Sequence, residues 1–180
     1  MKALKLSPRA RQRKPLGSIK HPIHLNINTS LFMVSSVYYM YIAIASTREG
    51  QVYPGHFAHA EVFYVFEYTD DGKLKLVGVR ENPLGRAPDT DLEEGYHHHI
   101  RVENSGIPLH GPPKYMWLRE NVLHDVDVVI AADTCQTSYR VFTSQGVKLI
   151  YPVPVEAIVT YIEGEGREEF KRLLEEYPRE

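Results

Sequence analysis

The sequence predicts an α/β domain built on a mixed sheet with helices on both faces. Three observations carry that prediction. Runs of β-branched and aromatic residues of strand length recur along the chain. The early ones are joined by a tight polar turn, which makes an antiparallel pair. The later ones alternate with segments of helical period, which makes parallel neighbours.

Met40 to Ser46 opens the pattern as an apolar run without strict alternation, as expected of a central strand covered on both faces. Val62 to Tyr68 and Lys73 to Arg80 flank Thr69-Asp70-Asp71-Gly72 and read as a hairpin, with Leu74 and Leu76 alternating against Lys73 and Lys75. A polar stretch from Glu81 to Pro113 contains His97, His98, His99 and His110, and a loop of that length inside a domain is usually functional or mobile. Pro112 and Pro113 then fit a helix start, with Tyr115, Leu118 and Val122 at helical spacing.

Asp127 to Ala132 is a buried strand by composition. Asp133 and Thr134 are N-cap types for a helix over Cys135 to Gln145, ended by Gly146. Val147 to Tyr151 is a further strand. Val155, Ile158, Val159 and Ile162 form an i, i+3, i+4, i+7 stripe, and Phe170, Leu173, Leu174 and Tyr177 repeat it beyond Gly164 and Gly166. The expected order is β, β-hairpin, α, β, α, β, α, α.

Residues 1–39 stand apart as a basic arm or an over-extended start, with residues 40–164 as the α/β domain and 165–180 as an amphipathic C-terminal helix packed on it. Seven basic residues, Lys2 to Lys20, precede the first acid, Glu49; removing them from 21 leaves 14 against 23 acids, a formal −9 for the rest. An acidic body is a poor general binder of nucleic acid. Three readings of the arm stand side by side: a signal-like leader, a nucleic-acid-binding arm, and a natural start at Met33 or Met40. The apolar stretch Leu31 to Ala45 is short for a bilayer span of about 20 residues, so no membrane association is expected.

The single cysteine, Cys135, excludes an internal disulfide and any CxxC metal motif. A metal would be held mainly by His and carboxylate, or by a partner, and the compartment is expected to be reducing, hence cytoplasmic. The first candidate site is Val52 to Ala60, where Pro54 and Gly55 punctuate the chain and His56 and His59 sit at the edge of a sheet. Imidazoles serve as metal ligands, as acid/base groups and as structural partners, so His-x-x-His alone does not separate these roles. Cys135 at a helix start gains thiolate character and becomes a second candidate. His97, His98 and His99 are candidate metal donors only if the loop bends, because consecutive residues of an extended chain face opposite ways.

With these residues in hand, Met40 to about Glu163 resembles the dinitrogenase iron-molybdenum cofactor biosynthesis family, the NifX-like domains also found at the end of NifB proteins. The matching features are Ile42-Ala43-Ile44-Ala45, then His56-Phe57-Ala58-His59-Ala60, the hairpin with Asp71-Gly72, Glu81-Asn82-Pro83, a His-rich loop, Asp127-Val128-Val129-Ile130 and Gly146-Val147-Lys148. Ala58 stands where the family usually has glycine, and Ala131 to Cys135 replaces a small glycine-rich turn, with Asp133 adding a negative charge. The resemblance implies a ribonuclease H-like, three-layer α/β/α fold around a mixed five-stranded sheet. It also implies a non-catalytic carrier of an iron-sulfur or iron-molybdenum-type cluster and a partner protein that donates or accepts the cargo; separately, the apolar stripes of the last two helices are core, with one able to cover an interface in a homodimer. His56, Phe57, His59 and Cys135 are the cofactor-binding residues expected on that basis, and Arg80, Arg86 and Arg101 are cations available to an anionic cluster. The enzyme alternative is a metal-dependent ribonuclease H-like hydrolase, which needs converging carboxylates that the first strand lacks. An interaction module using the basic arm is the third class.

Overall fold

A computed structural model describes residues 39–86, 106–108 and 110–176. Its five strands are β1 (Tyr39–Ser46), β2 (Val62–Thr69), β3 (Leu74–Glu81), β4 (Val128–Ile130) and β5 (Lys148–Ile150), in the spatial order β3-β2-β1-β4-β5. β1 pairs antiparallel with β2 and parallel with β4. β2 pairs antiparallel with β3, and β4 parallel with β5. The mixed five-stranded sheet and its early hairpin therefore match the expectation. Thr69 N–H donates to the Lys73 carbonyl at 3.0 Å and closes the hairpin turn.

The sheet is covered on both sides because its strands are apolar on both sides. On one face Ala43 and Ala45 of β1, Phe63 and Val65 of β2, Val129 and Leu149 pack with Leu118 of α1 (Gly111–Asn121) and Phe142 of α2 (Gln136–Ser144). On the other, Met40, Ile42, Ile44, Phe66, Val128 and Ile130 pack with Ile158 and Tyr161 of α3 (Ile158–Glu163) and Phe170 and Leu173 of α4 (Glu165–Glu176). Successive β1 residues thus feed two different cores, and the missing hydrophobic alternation is explained by two covering layers.

β3 is the edge. It carries a bulge where Val65 pairs with Gly78 but Phe66 with Leu76, leaving Val77 extra, and Leu76, Val77 and Val79 are exposed. Bulges of this kind blunt an open edge.

Two sequence expectations change. The helix after β4 starts at Gln136 and its N-cap is Cys135, not Asp133 or Thr134. The stripe Val155, Ile158, Val159, Ile162 does not form one helical face: Val155 and Val159 are 54% and 60% exposed, and the buried pair is Ile158 and Tyr161. The cause is tertiary. Glu156 accepts the Val52 N–H at 2.8 Å and Ala157 bridges Gln51, so the chain is held extended until Ile158 and the helix starts late. The second stripe holds at Phe170 and Leu173, both buried, while Tyr177 lies outside the described residues. Gly166 is needed where α4 meets α3, because a Cβ there would lie 2.9 Å from the Tyr161 ring and from its carbonyl oxygen.

Candidate functional site

The strand order reverses direction of growth at β1: the chain leaves it toward β2 on one side and later returns as β4 on the other. The crevice beyond the carboxyl ends of β1 and β4 is therefore the topological switch point, where open α/β sheets place ligands. The two loops that leave those ends carry His56 and Cys135.

The loop after β1 is rigidly built. Phe57–His59 form a single 3-10 turn capped by His56, whose Nδ1 accepts the Ala58 N–H at 3.2 Å. Ala58 lies inside this right-handed turn, so alanine meets no backbone penalty there. Phe57 is fully buried, edge-on to Phe142 with ring centroids 5.1 Å apart, so its side chain anchors the loop in the core. Asn82, itself buried, donates from Nδ2 to the carbonyls of Ala58 (2.9 Å) and Ala60 (2.7 Å) and accepts the Leu84 N–H. Gly85 follows because a Cβ there would lie 2.5 Å from the Ala60 oxygen. The Glu81-Asn82-Pro83 segment thus holds the histidine loop from beneath.

The loop after β4 meets it directly. Phe57 N–H donates to the Asp133 carbonyl, and His56 forms a parallel bridge with Asp133. Asp133 contributes this carbonyl while its side chain is exposed. Two residues later the Cys135 Sγ accepts the Ser138 N–H at 3.4 Å and completes a capping box, with Cys135 N–H donating to Ser138 Oγ. Ser138 is the junction. Its Oγ lies 3.1 Å from His56 Nε2, 3.4 Å from Cys135 Sγ and 2.7 Å from Thr134 Oγ1. With Nδ1 accepting from Ala58, a neutral His56 carries its proton on Nε2 and donates it to Ser138.

Tyr115 of α1 closes the group, its hydroxyl 3.3 Å from Cys135 Sγ and its ring centroid 5.6 Å from that of His56. Burial pushes the Cys135 thiol up, but the hydrogen bonds from Ser138, Tyr115 and the Ser138 and Thr137 amides together outweigh it and hold the thiol below its ordinary value. His59 is 7% exposed and its Nε2 lies 2.8 Å from the Nζ of Lys114, which is 1% exposed in the first turn of α1.

The structure therefore brings His56 and Cys135 together through Ser138, sets Phe57 beneath them and pairs His59 with Lys114. His97, His98, His99 and Arg101 lie outside the described residues. Arg80 is engaged elsewhere, bidentate to Asp125 and bonded to the Val122 carbonyl, and Arg86 is exposed at the end of the Pro83–Arg86 turn. Among the described residues there is no group of three or more His, Cys, Asp or Glu side chains able to hold a metal ion. Sequence reasoning missed Ser138 and Lys114, and held Asn82 only as part of the Glu81-Asn82-Pro83 match, without a role. Lys114 had a signal: it stands four residues before Leu118 and eight before Val122, on the buried stripe of α1.

This architecture defines a small α/β domain with a histidine and a cysteine gathered at the switch point of a mixed sheet. The chain belongs to the dinitrogenase iron-molybdenum cofactor family, whose model matches residues 39–164. No curated protein matches it. Membership associates the chain with handling of that cofactor. No helix among the described residues is long and apolar enough to cross a membrane.

Proposed function

We propose that this protein is a non-catalytic carrier of an anionic metal–sulfur cluster, the iron-molybdenum cofactor or a precursor, held between His56 and Cys135 and passed to or from a partner protein. The observation that carries this reading is the convergence of the two side chains on one atom, Ser138 Oγ, from loops at the carboxyl ends of adjacent parallel strands. Ala58 N–H occupies His56 Nδ1, so Nε2 is the nitrogen for coordination, and a metal there replaces the proton that Ser138 otherwise receives. Cys135 supplies a thiolate, the soft donor that iron–sulfur and related clusters require. The cluster is cargo. One imidazole and one thiolate grip a preassembled cluster through few bonds, which favours transfer over permanent retention.

The test is anaerobic incubation of the full chain with ferrous iron and sulfide, or with a synthetic anionic iron–sulfur cluster, followed by gel filtration and analysis of bound iron and sulfide. Bound metal should fall roughly tenfold or more in His56→Ala and in Cys135→Ser, as expected for loss of a ligand or its immediate support. Absence of binding by the wild type, or undiminished binding by His56→Ala, overturns the assignment.

A further inference from the structure

A second cavity, of about 630 Å³, lies between the β2–β3 turn and α4. Its wall residue Tyr68 stands opposite Met40 at the start of β1, whereas the histidine and cysteine loops gather beyond the end of that strand. Cavities of this size hold small organic ligands. Tyr68 is only 4% exposed, and its ring packs on that of Phe170 with centroids 5.6 Å apart. The hydroxyl reaches the turn end of the cavity, where a Cβ on Gly72 would lie 3.9 Å from it. It finds no hydrogen-bond partner among the described residues, and no polar side-chain atom among them is sealed in without one, so this hydroxyl opens into the cavity. A hydroxyl drawn this far out of water needs an acceptor.

Two cations stand within electrostatic reach of it. Burial pushes the Tyr68 hydroxyl above its ordinary pKa, and the charges of Lys171 and Arg167 partly offset that rise. Arg167 forms no ion pair among the described residues, and Lys171 makes only a 3.4 Å contact with Glu168 on the exposed side of α4. One donor and two positive charges thus border an apolar floor of Leu74, Phe170 and Leu174. Such a wall receives an anionic head on an apolar body. The acids of the wall limit the charge of that head. Asp71 is engaged by Lys73 and Thr69, while Asp70, Glu163 and Glu175 are exposed. They repel a multiply charged group such as a phosphate and favour a single charge.

We propose that this cavity binds an amphipathic monocarboxylate: the carboxylate accepts the Tyr68 hydroxyl between Arg167 and Lys171, and the hydrocarbon body lies on Leu74, Phe170 and Leu174. The site is separate from His56 and Cys135, and it stands or falls independently of the carrier reading.

The experiment titrates the full chain by calorimetry with decanoate, kept below its micelle concentration, and with decan-1-ol, which has the same body and no charge. Wild type should bind decanoate the more tightly. Tyr68→Phe keeps the ring and its packing and removes only the donor, so it should weaken decanoate about tenfold, as for a hydrogen bond to a charged group, and leave decanol unchanged. Arg167→Gln should weaken decanoate roughly threefold, as for a solvent-exposed cation. His56→Ala should bind decanoate as wild type does. Nuclear Overhauser contacts from the decanoate methylenes to the Phe170 ring locate the ligand in the wild type, whatever the folding of any variant. Absence of decanoate binding by the wild type, decanol bound equally well, contacts to other surfaces and none to Phe170, or undiminished binding by folded Tyr68→Phe overturns the proposal and leaves the carrier reading untouched.

Discussion

The amide of Phe57 donates to the carbonyl of Asp133 at 3.1 Å. This single bond, with the bridge between His56 and Asp133, joins the loop after β1 to the loop after β4 and makes one site of two distant stretches of chain. Asp133 takes part through its backbone, so its charge, which the sequence set in the middle of the expected ligand turn, points to solvent instead.

Asn82 is the strongest single support of that arrangement. Its amide satisfies two carbonyls of the histidine loop in a buried setting. Asn82→Ala strands both, and each unpaired buried acceptor costs about 1–3 kcal/mol, so a loss of roughly 2–4 kcal/mol is expected in urea unfolding. A loss below about 1 kcal/mol would show that the loop re-satisfies its carbonyls, as surface loops do.

Cys135 reactivity should follow its hydrogen bonds. As the chain's one cysteine, it gives an unambiguous alkylation signal with iodoacetamide. The thiol is held low although burial opposes it, so alkylation should reach half its maximum at a lower pH than that of a free cysteine. Ser138→Ala removes the hydroxyl contact and should move the midpoint upward; an identical profile in the variant would contradict the assigned hydrogen bonding.

Asp127 predicts a stability effect of the opposite kind. Burial raises its carboxyl above the ordinary value, although Oδ2 accepts the Tyr41 N–H at 2.7 Å. The folded state therefore holds the proton more tightly than the unfolded chain does. Its favourable contribution is complete below the unfolded pKa and is lost as pH rises through the folded one. Asp127→Asn keeps an acceptor for Tyr41 and removes the charge, so the variant should match or exceed wild type at pH 7. The difference should shrink, then favour wild type relatively more, as pH falls toward 4. A variant less stable than wild type at pH 7, with a gap that does not vary with pH, would argue against this account.

The fold was legible where local pattern and tertiary packing agree. Val128 to Ile130 is apolar at every position because both faces are covered, and the Asp70–Gly72 turn forces its hairpin. Val155 and Val159 misled because helical spacing was continued through a stretch that a distant pairing, Gln51 with Ala157, keeps extended. Within the site, His56 and Cys135 stood out by residue type. Ser138, Lys114 and Asn82 did not, since a serine in the first turn of a helix, a lysine after two prolines and an asparagine before a proline all have ordinary surface uses. Their importance comes from burial, and burial is a property of the whole fold.

The place of the site at the junction of β1 and β4 also orders events in time. During synthesis His56 leaves the ribosome with its own strand and hairpin, yet the thiol, the serine and the carbonyl that complete its surroundings belong to chain still unmade. Asp133, Cys135 and Ser138 must emerge and β4 must seat beside β1 before either donor has its proper neighbour. On the carrier reading, a truncated or half-folded chain cannot take up a cluster in the proposed manner, and cargo is entrusted only to a finished domain.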